Sequence, residues 1–364
     1  MILHRYFARR FTWTFLATFA GFFLLMILVD LVEQLRRFGA DAPFGDIMQL
    51  SLLNLAGGIY GIMPLIMVLS TLVMFLGLSR SSEMVVTRAA GRSALRSLAA
   101  PLVVTLIIGA ITVGVFNPIV AATSKEYETR EVELRSAGAS VLSILGDGLW
   151  LRQGDDVSQT VIRADTTNLD GTALTGVSFI TFTPEGGPTR RIEAATATLT
   201  PGAWDLTDAK AWPLDGVGVP EARATTHPTL RIPSSLTADE IRDSFGDPSS
   251  IAIWELPAFI ARLEVAGFSA TRHAVWFQME LALPAFLLSM VLIGAGFTMR
   301  HQRGGRTGVM VLSAILICFA LFFLRNFAQI LGENGQIPAI LAAWAPPLAA
   351  IGASLGLLLH LEDG

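Results

Sequence analysis

Six apolar stretches, each long enough to cross a lipid bilayer, constrain this chain more than any other feature. A spanning helix needs about 20 mostly apolar residues. Phe11–Leu31, Leu50–Leu78, Leu98–Ala121, Trp276–Thr298, Val309–Leu331 and Pro338–Leu359 meet that length. Three precede a long polar stretch and three follow it. Charge follows the same division. Residues 123–272 carry 13 Lys/Arg and 21 Asp/Glu, and the other 214 residues carry 13 and 9. Charged residues make up only 15% of the 364 positions, against roughly 25% in a soluble domain. The sequence therefore predicts an α-helical membrane protein with six transmembrane helices and one soluble insert between helices three and four. At 52% hydrophobic residues disorder is excluded. A net charge of −4 argues against a nucleic-acid binder, which needs a basic face. The lone cysteine, Cys318, allows no intramolecular disulfide and no cysteine metal cluster.

Orientation is read from arginines near the span ends. Arg5, Arg9 and Arg10, then Arg80, Arg88, Arg92 and Arg96, then Arg300, Arg303 and Arg306 fall on one side of a six-span chain, with Glu83 as the one acid among them. Both termini are expected in the cytoplasm and the insert outside the inner membrane. Ala40-Asp41-Ala42 resembles a signal-cleavage triplet. The apolar core before it is too long, and Glu33–Arg37 intervene. The first span is expected to stay in place.

The insert reads as all-β from about Val141 to Ile232. Val177–Phe182 and Ala195–Thr200 alternate, and Asn168–Gly171, Pro184–Gly187, Pro201-Gly202 and Asp215-Gly216 mark turns. Short strands between such turns predict a sandwich or a jelly roll. Helices are expected at Thr123–Ser136, Leu236–Ser244 and Ser250–Ala266, the last broken at Pro257.

Catalytic signatures are missing. Lys125 and Lys210 are the only lysines, and neither stands in a phosphate-binding loop. There is no H-E-x-x-H. Three features do carry information. The loop Ser79–Gly91 predicts a short helix capped by Ser81 or Ser82 and ended by Gly91. Glu83 opens it at the positive dipole end, and Met84, Val85 and Val86 offer apolar surface. That surface fits a docking knob or a headgroup-lying helix. At the outer end of span one, Asp30, Glu33 and Arg37 share a helical face, and Arg36 and Arg37 break the inside-positive pattern. Arginine pairs well with phosphate; the simpler reading is salt bridges to Glu33 and Asp41. Finally, Glu280 and Arg325 lie within spans four and five, where ionisable groups are costly. They either pair with each other, or Arg325 meets an anionic headgroup.

At these residues the chain resembles the permease subunits of the bacterial lipopolysaccharide exporter, the LptF/LptG family. The match runs over essentially the whole chain. It rests on His4-Arg5-Tyr6, Glu33-Gln34-Leu35-Arg36-Arg37 and above all Arg80-Ser81-Ser82-Glu83-Met84-Val85-Val86 with Ala90-Gly91. The span-one exit and Ile337-Pro338…Pro346-Pro347 resemble the LptG branch more than the LptF branch.

The resemblance implies three regions. Residues 1–136 would hold spans one to three with a coupling helix near 82–90, residues 137–247 a periplasmic β-jelly roll, and residues 248–364 spans four to six. It implies a second LptF-like permease, a dimer of the LptB-like ATPase that binds ATP and magnesium, and an LptC-like bridge protein. Lipopolysaccharide would be the cargo, and no cofactor would sit in this chain. It assigns Arg80, Ser82, Glu83, Met84, Val85, Val86, Arg88 and Gly91 to ATPase coupling. Asp30, Glu33, Arg36, Arg37 and Arg325 are assigned to lipid headgroups, although Asp30 departs from the basic residue usual in the family. An LptF-type role, an ion-coupled transporter and a membrane scaffold displaying a β domain are the alternatives.

Overall fold

The computed structural model describes residues 2–38, 43–89, 91, 93–135, 142–145, 148–154, 159–167, 172–182, 187–214, 219–234, 236–237, 247–265, 269–299 and 307–363. The chain divides into two compact units. One comprises residues 1–136, 248–257 and 271–364, and the other residues 137–247 and 258–270.

The first unit is helical. α1 (Ile2–Phe38) leads to α2 (Phe44–Gly61) and α3 (Met63–Arg80), followed by the short α4 (Glu83–Ala89). α5 (Ala94–Ile111) runs through a π-helical turn, Thr112–Phe116, into α6 (Asn117–Arg135). In α1 the buried apolar residues are Phe7, Phe11 and Phe15. Their spacing of four puts them on one face, which packs on α3 and α5.

The second unit is a seven-stranded sheet: β1 (Leu142–Leu145), β2 (Gly148–Gly154), β3 (Gln159–Thr167), β4 (Ala173–Phe182), β5 (Pro188–Thr200), β6 (Ala203–Pro213) and β7 (Thr225–Pro233). α7 (Leu256–Val265) lies against it through Phe259, Ile260 and Leu263. The helical unit then resumes with α8 (Thr271–Leu281), α9 (Leu283–Thr298), α10 (Thr307–Glu333) and α11 (Ala339–Asp363).

Among the described residues, five helices are long and apolar enough to cross a membrane: Ile2–Phe38, Met63–Arg80, Leu95–Glu131, Gly308–Glu333 and Ala339–His360. α8 and α9 pass the same test only together, with a 48° bend between them. The expected second span, Leu50–Leu78, is divided at Ile62. Pro64 is the cause. It has no N–H to give the Tyr60 carbonyl, which the Ile62 N–H takes instead. Pro284 repeats the arrangement, with the break at Ala282 two residues before it. The third break is the π-turn before Pro118. There the freed Gly114 carbonyl accepts from Trp254 Nε1 at 3.2 Å. The helix expected over Thr123–Ser136 is not a separate element, because α6 begins at Asn117 as a continuation of span three.

All seven strands pair antiparallel in sequence order. This meander replaces the crossed connections of a jelly roll among the described strands, since each strand pairs with the next one in the chain. The buried positions change parity part-way along three neighbouring strands: Leu174 then Val177 in β4, Ala194 then Ala197 in β5, Leu206 then Ala209 in β6. A strict alternation would turn one half of each strand's apolar set to solvent. An extra residue in each strand keeps the set on one face. Gly176 (φ 64°) and Asp208 (φ 51°) make that adjustment in β4 and β6. Trp204 and Phe179, in edge contact at 6.3 Å, centre the core among small alanines.

The Pro201-Gly202 turn joins β5 to β6 with Gly202 at φ 79°. The other three turn signals fall wholly or mostly outside the described residues, as do Ala238–Ser244 of the expected 236–244 helix. Pro257 starts α7 rather than breaking a helix, as its missing N–H costs nothing in a first turn.

Candidate functional site

The loop between α3 and α5 forms a compact knot around Glu83. Ser82 sits at φ 60°, an uncommon angle for a residue with a side chain, and turns the chain from α3 into α4. Its carbonyl receives the Val85 and Val86 N–H groups at 3.1 and 3.2 Å. Neither serine hydroxyl caps α4 as expected. The Ser81 hydroxyl donates to the Gly77 carbonyl at 3.1 Å and to Glu83 Oε1 at 2.8 Å. Gly91 lies beyond the helix at φ 75°, in the left-handed region that glycine enters freely. Arg80 is exposed. Ala90 and the side chain of Arg88 lie outside the described residues.

Two residues of α1 reach Glu83. The Tyr6 hydroxyl donates to Oε2 at 2.5 Å, and Arg10 Nη1 donates to Oε1 at 3.3 Å. Arg10 also donates to the Tyr6 oxygen at 2.6 Å, four residues apart on one helical face. The Tyr6 hydrogen bond, the Ser81 hydroxyl and the Arg10 charge hold the Glu83 carboxyl below the usual carboxylate range, against the opposing pull of partial burial. It stays ionised at neutral pH. The side chain is 35% exposed, so part of it remains reachable.

Met84 does not join the exposed surface predicted for it. It is 6% exposed and belongs to the helical core with Phe7 and Leu98. Thr87, three residues on, is also buried and donates to the Glu83 carbonyl at 2.7 Å. A seven-residue helix has one inward face, and Met84 and Thr87 take it. Val85 and Val86 point outward at 45% and 68% exposure.

At the other end of α1 the predicted residues separate. Asp30 Oδ1 accepts from Asn54 on α2 at 2.5 Å. Arg37 pairs with Glu131 on α6 at 3.1 Å, and the buried Gln34 donates to the Tyr127 hydroxyl, also on α6, at 3.1 Å. Arg36 lies 3.6 Å from Glu33 on its own helix and is 80% exposed. Asp41 lies outside the described residues.

Glu280 and Arg325 make no ion pair within 4.0 Å among the described residues. The Arg325 guanidinium lies over the Phe286 ring, 5.0 Å from its centre. Glu280, 1% exposed, accepts from the Tyr60 hydroxyl and from Asn117 Nδ2 at 3.2 Å. Sequence reasoning missed Tyr6, Arg10, Tyr60 and Asn117 as partners. Each lies far along the chain from its acid, and only the four-residue spacing of Tyr6 and Arg10 signals a shared face. Among the described residues no group of three metal-binding side chains converges.

Comparison with known proteins covers both units. The family described as "Lipopolysaccharide export system permease LptF/LptG" matches residues 5–360. The chain is 26% identical over 368 residues to the lipopolysaccharide export system permease protein LptG of Haemophilus influenzae, covering 96% of each chain. It is 23% identical over 369 residues to LptG of Escherichia coli K12, covering 99% of this chain and 98% of that one. On the breadth of that match, this chain belongs to the LptF/LptG family of lipopolysaccharide export system permeases.

Proposed function

We propose that this chain is a permease subunit of a lipopolysaccharide exporter, of the LptG type. It would withdraw lipopolysaccharide from the inner membrane and pass it to a periplasmic bridge. ATP hydrolysis in a separate, LptB-like subunit would drive it, with ATP and magnesium bound there. The observation that carries this reading is the family match over residues 5–360, which spans the helices, the sheet and α4 alike. An LptF-like permease and an LptC-like bridge protein would complete the assembly.

α4 is the element suited to meet the ATPase. Val85 and Val86 form its outward apolar surface, and Arg80 and Glu83 flank it. Glu83 works chiefly by position, since Tyr6 and Arg10 fasten it to α1. A thrust on α4 would therefore reach both α1 and α3. Of the span-one residues, the exposed Arg36 is the one suited to a lipid phosphate. Asp30 and Arg37 tie α1 to α2 and α6, Glu33 pairs with Arg36 on α1 itself, and Arg325 remains a candidate for an anionic headgroup from within its span.

The test is purification of the tagged chain from native membranes in mild detergent. A second permease and a nucleotide-binding subunit should co-purify, and the preparation should move lipopolysaccharide only with ATP. Recovery of the chain alone from a stable preparation would sink the reading.

Orientation has its own test. The arginine distribution puts both termini in the cytoplasm and the sheet in the periplasm. With Cys318 replaced by serine, a cysteine at Gly187, an exposed position before β5, should react with an impermeant maleimide in intact spheroplasts. Reaction only after lysis would invert the topology.

A further inference from the structure

The three interrupted spans break at places tied to one carboxyl group. α2 gives way to α3 at Ile62, α5 passes to α6 through Thr112–Phe116, and α8 meets α9 at Ala282. Each break is set by a proline just beyond it: Pro64, Pro118 and Pro284. Glu280 stands two residues before the third break. It accepts from Tyr60, two residues before the first, and from Asn117, the residue that ends the second. Asn117 also accepts the Ile253 N–H through Oδ1 at 2.9 Å, so the chain returning from the sheet is held at the same point. The Tyr60 and Phe116 rings, 5.7 Å apart, close the gap between the first two breaks.

The breaks divide the bundle into two tiers. α3 and α5 both pack on α9, and the side chains of the three supply most of the apolar core of this unit. α2 packs on α6 rather than along α3, and α8 packs on α10 and α11 rather than on α9. α1, α10 and α11 run unbroken past both tiers. In chain order, α4 follows α3, whereas the sheet is inserted between α6 and α8. One tier thus carries the coupling helix and the other carries the sheet.

We infer that Glu280 is a positioning residue, a latch that joins the three proline breaks so that they flex as one when movement passes from the α4 tier to the sheet-bearing tier. The physical reasons are burial and valence. A carboxylate removed from water must be satisfied by hydrogen bonds. Glu280 is 1% exposed and draws its donors, Tyr60 and Asn117, from two other spans. Opening any one break strips a donor from it, which penalises independent movement. Proline breaks lose a bond of the helical ladder and bend readily, so the tie supplies the order that the breaks lack. The latch's part in export rests on the permease reading above; its existence does not.

The test uses the full complex in lipid nanodiscs. Amide exchange is measured across residues 58–66, 108–118 and 276–286, and lipopolysaccharide transferred to a soluble periplasmic acceptor is counted per ATP hydrolysed. Tyr60→Phe removes one hydroxyl and keeps the ring. It should speed exchange at all three breaks, by about tenfold for a buried hydrogen bond that loses its donor, and lower the transfer-to-hydrolysis ratio by a similar factor. Glu280→Ala should do at least as much, whereas Glu280→Gln, which keeps an acceptor oxygen, should stay close to the wild-type ratio. Faster exchange confined to residues 58–66 in Tyr60→Phe would overturn the latch, whether or not Glu280→Ala assembles. Linked exchange with an unchanged transfer ratio would overturn its part in coupling. If the wild-type complex moves no lipopolysaccharide, the permease reading fails, and the exchange pattern still decides the latch.

Discussion

Replacing Glu83 with lysine is expected to reduce ATP-driven lipid release to near background while the chain remains in the membrane. The substitution removes the acceptor for Tyr6, Arg10 and Ser81 in one step. It also sets a second cation beside Arg10. Hydrogen bonds to charged groups are worth about 1.5–3 kcal/mol each when well buried. Here both side chains are about one-third exposed, so each contact counts for less. Together they still fasten a seven-residue helix whose buried side chains, among those described, are Met84 and Thr87. Too short to be stable by itself, α4 depends on those contacts for its place. Release should fall by about tenfold or more, the factor that corresponds to some 1.4 kcal/mol. Tyr6→Phe, which leaves Arg10 and Ser81 in place, should cost less. The measurement is transfer to a periplasmic acceptor per ATP, with ATPase recovery scored in the same preparation. Wild-type transfer by the lysine variant would show that α4 does not couple.

The position of Glu83 was legible in the sequence, but its partners were not. Ser81-Ser82-Glu83 followed by Gly91 marks a short helix because serine, glutamate and glycine suit the start and end of one. That Glu83 faces α1 depends on how α1 and α3 pack, and no local spacing encodes it. Met84 shows the same limit. Three consecutive apolar residues on a helix point in different directions, and the core claimed the first. Pro64, Pro118 and Pro284 each sit inside an apolar run, where length and hydropathy alone count one continuous span. In the insert, the strands Val177–Phe182 and Ala195–Thr200 were visible by alternation. The strand order was not, because a sandwich, a jelly roll and a meander all alternate, and the parity changes around Gly176 and Asp208 break the very pattern used to find strands.

At the outer end of α1 the neighbouring arginines should part company under charge reversal. Arg37 has a protein partner, Glu131 on α6 at 3.1 Å, with the two side chains 43% and 20% exposed. Arg37→Glu sets two carboxylates together where α1 meets α6, beside the buried Gln34–Tyr127 hydrogen bond. Like charges at that range repel, so the helix end should lift and lipid contact with it should fall. Adding Glu131→Arg rebuilds the pair with its ends exchanged. If Arg37 acts through α6, the double variant should recover crosslinking between α1 and lipopolysaccharide to within about twofold, as expected when a coupled pair is swapped. Among the described residues Arg36 pairs with Glu33, 3.6 Å away on its own helix, and stands 80% exposed. An arginine so placed can offer a fork of donors to a phosphate. Arg36→Glu should cut crosslinking by about tenfold, the loss of one charge-assisted contact, and the Glu131 change should not restore it. Rescue of Arg36→Glu by Glu131→Arg, or a failure of the swap to rescue Arg37→Glu, would reverse the two assignments and make Arg37 the residue that meets the lipid.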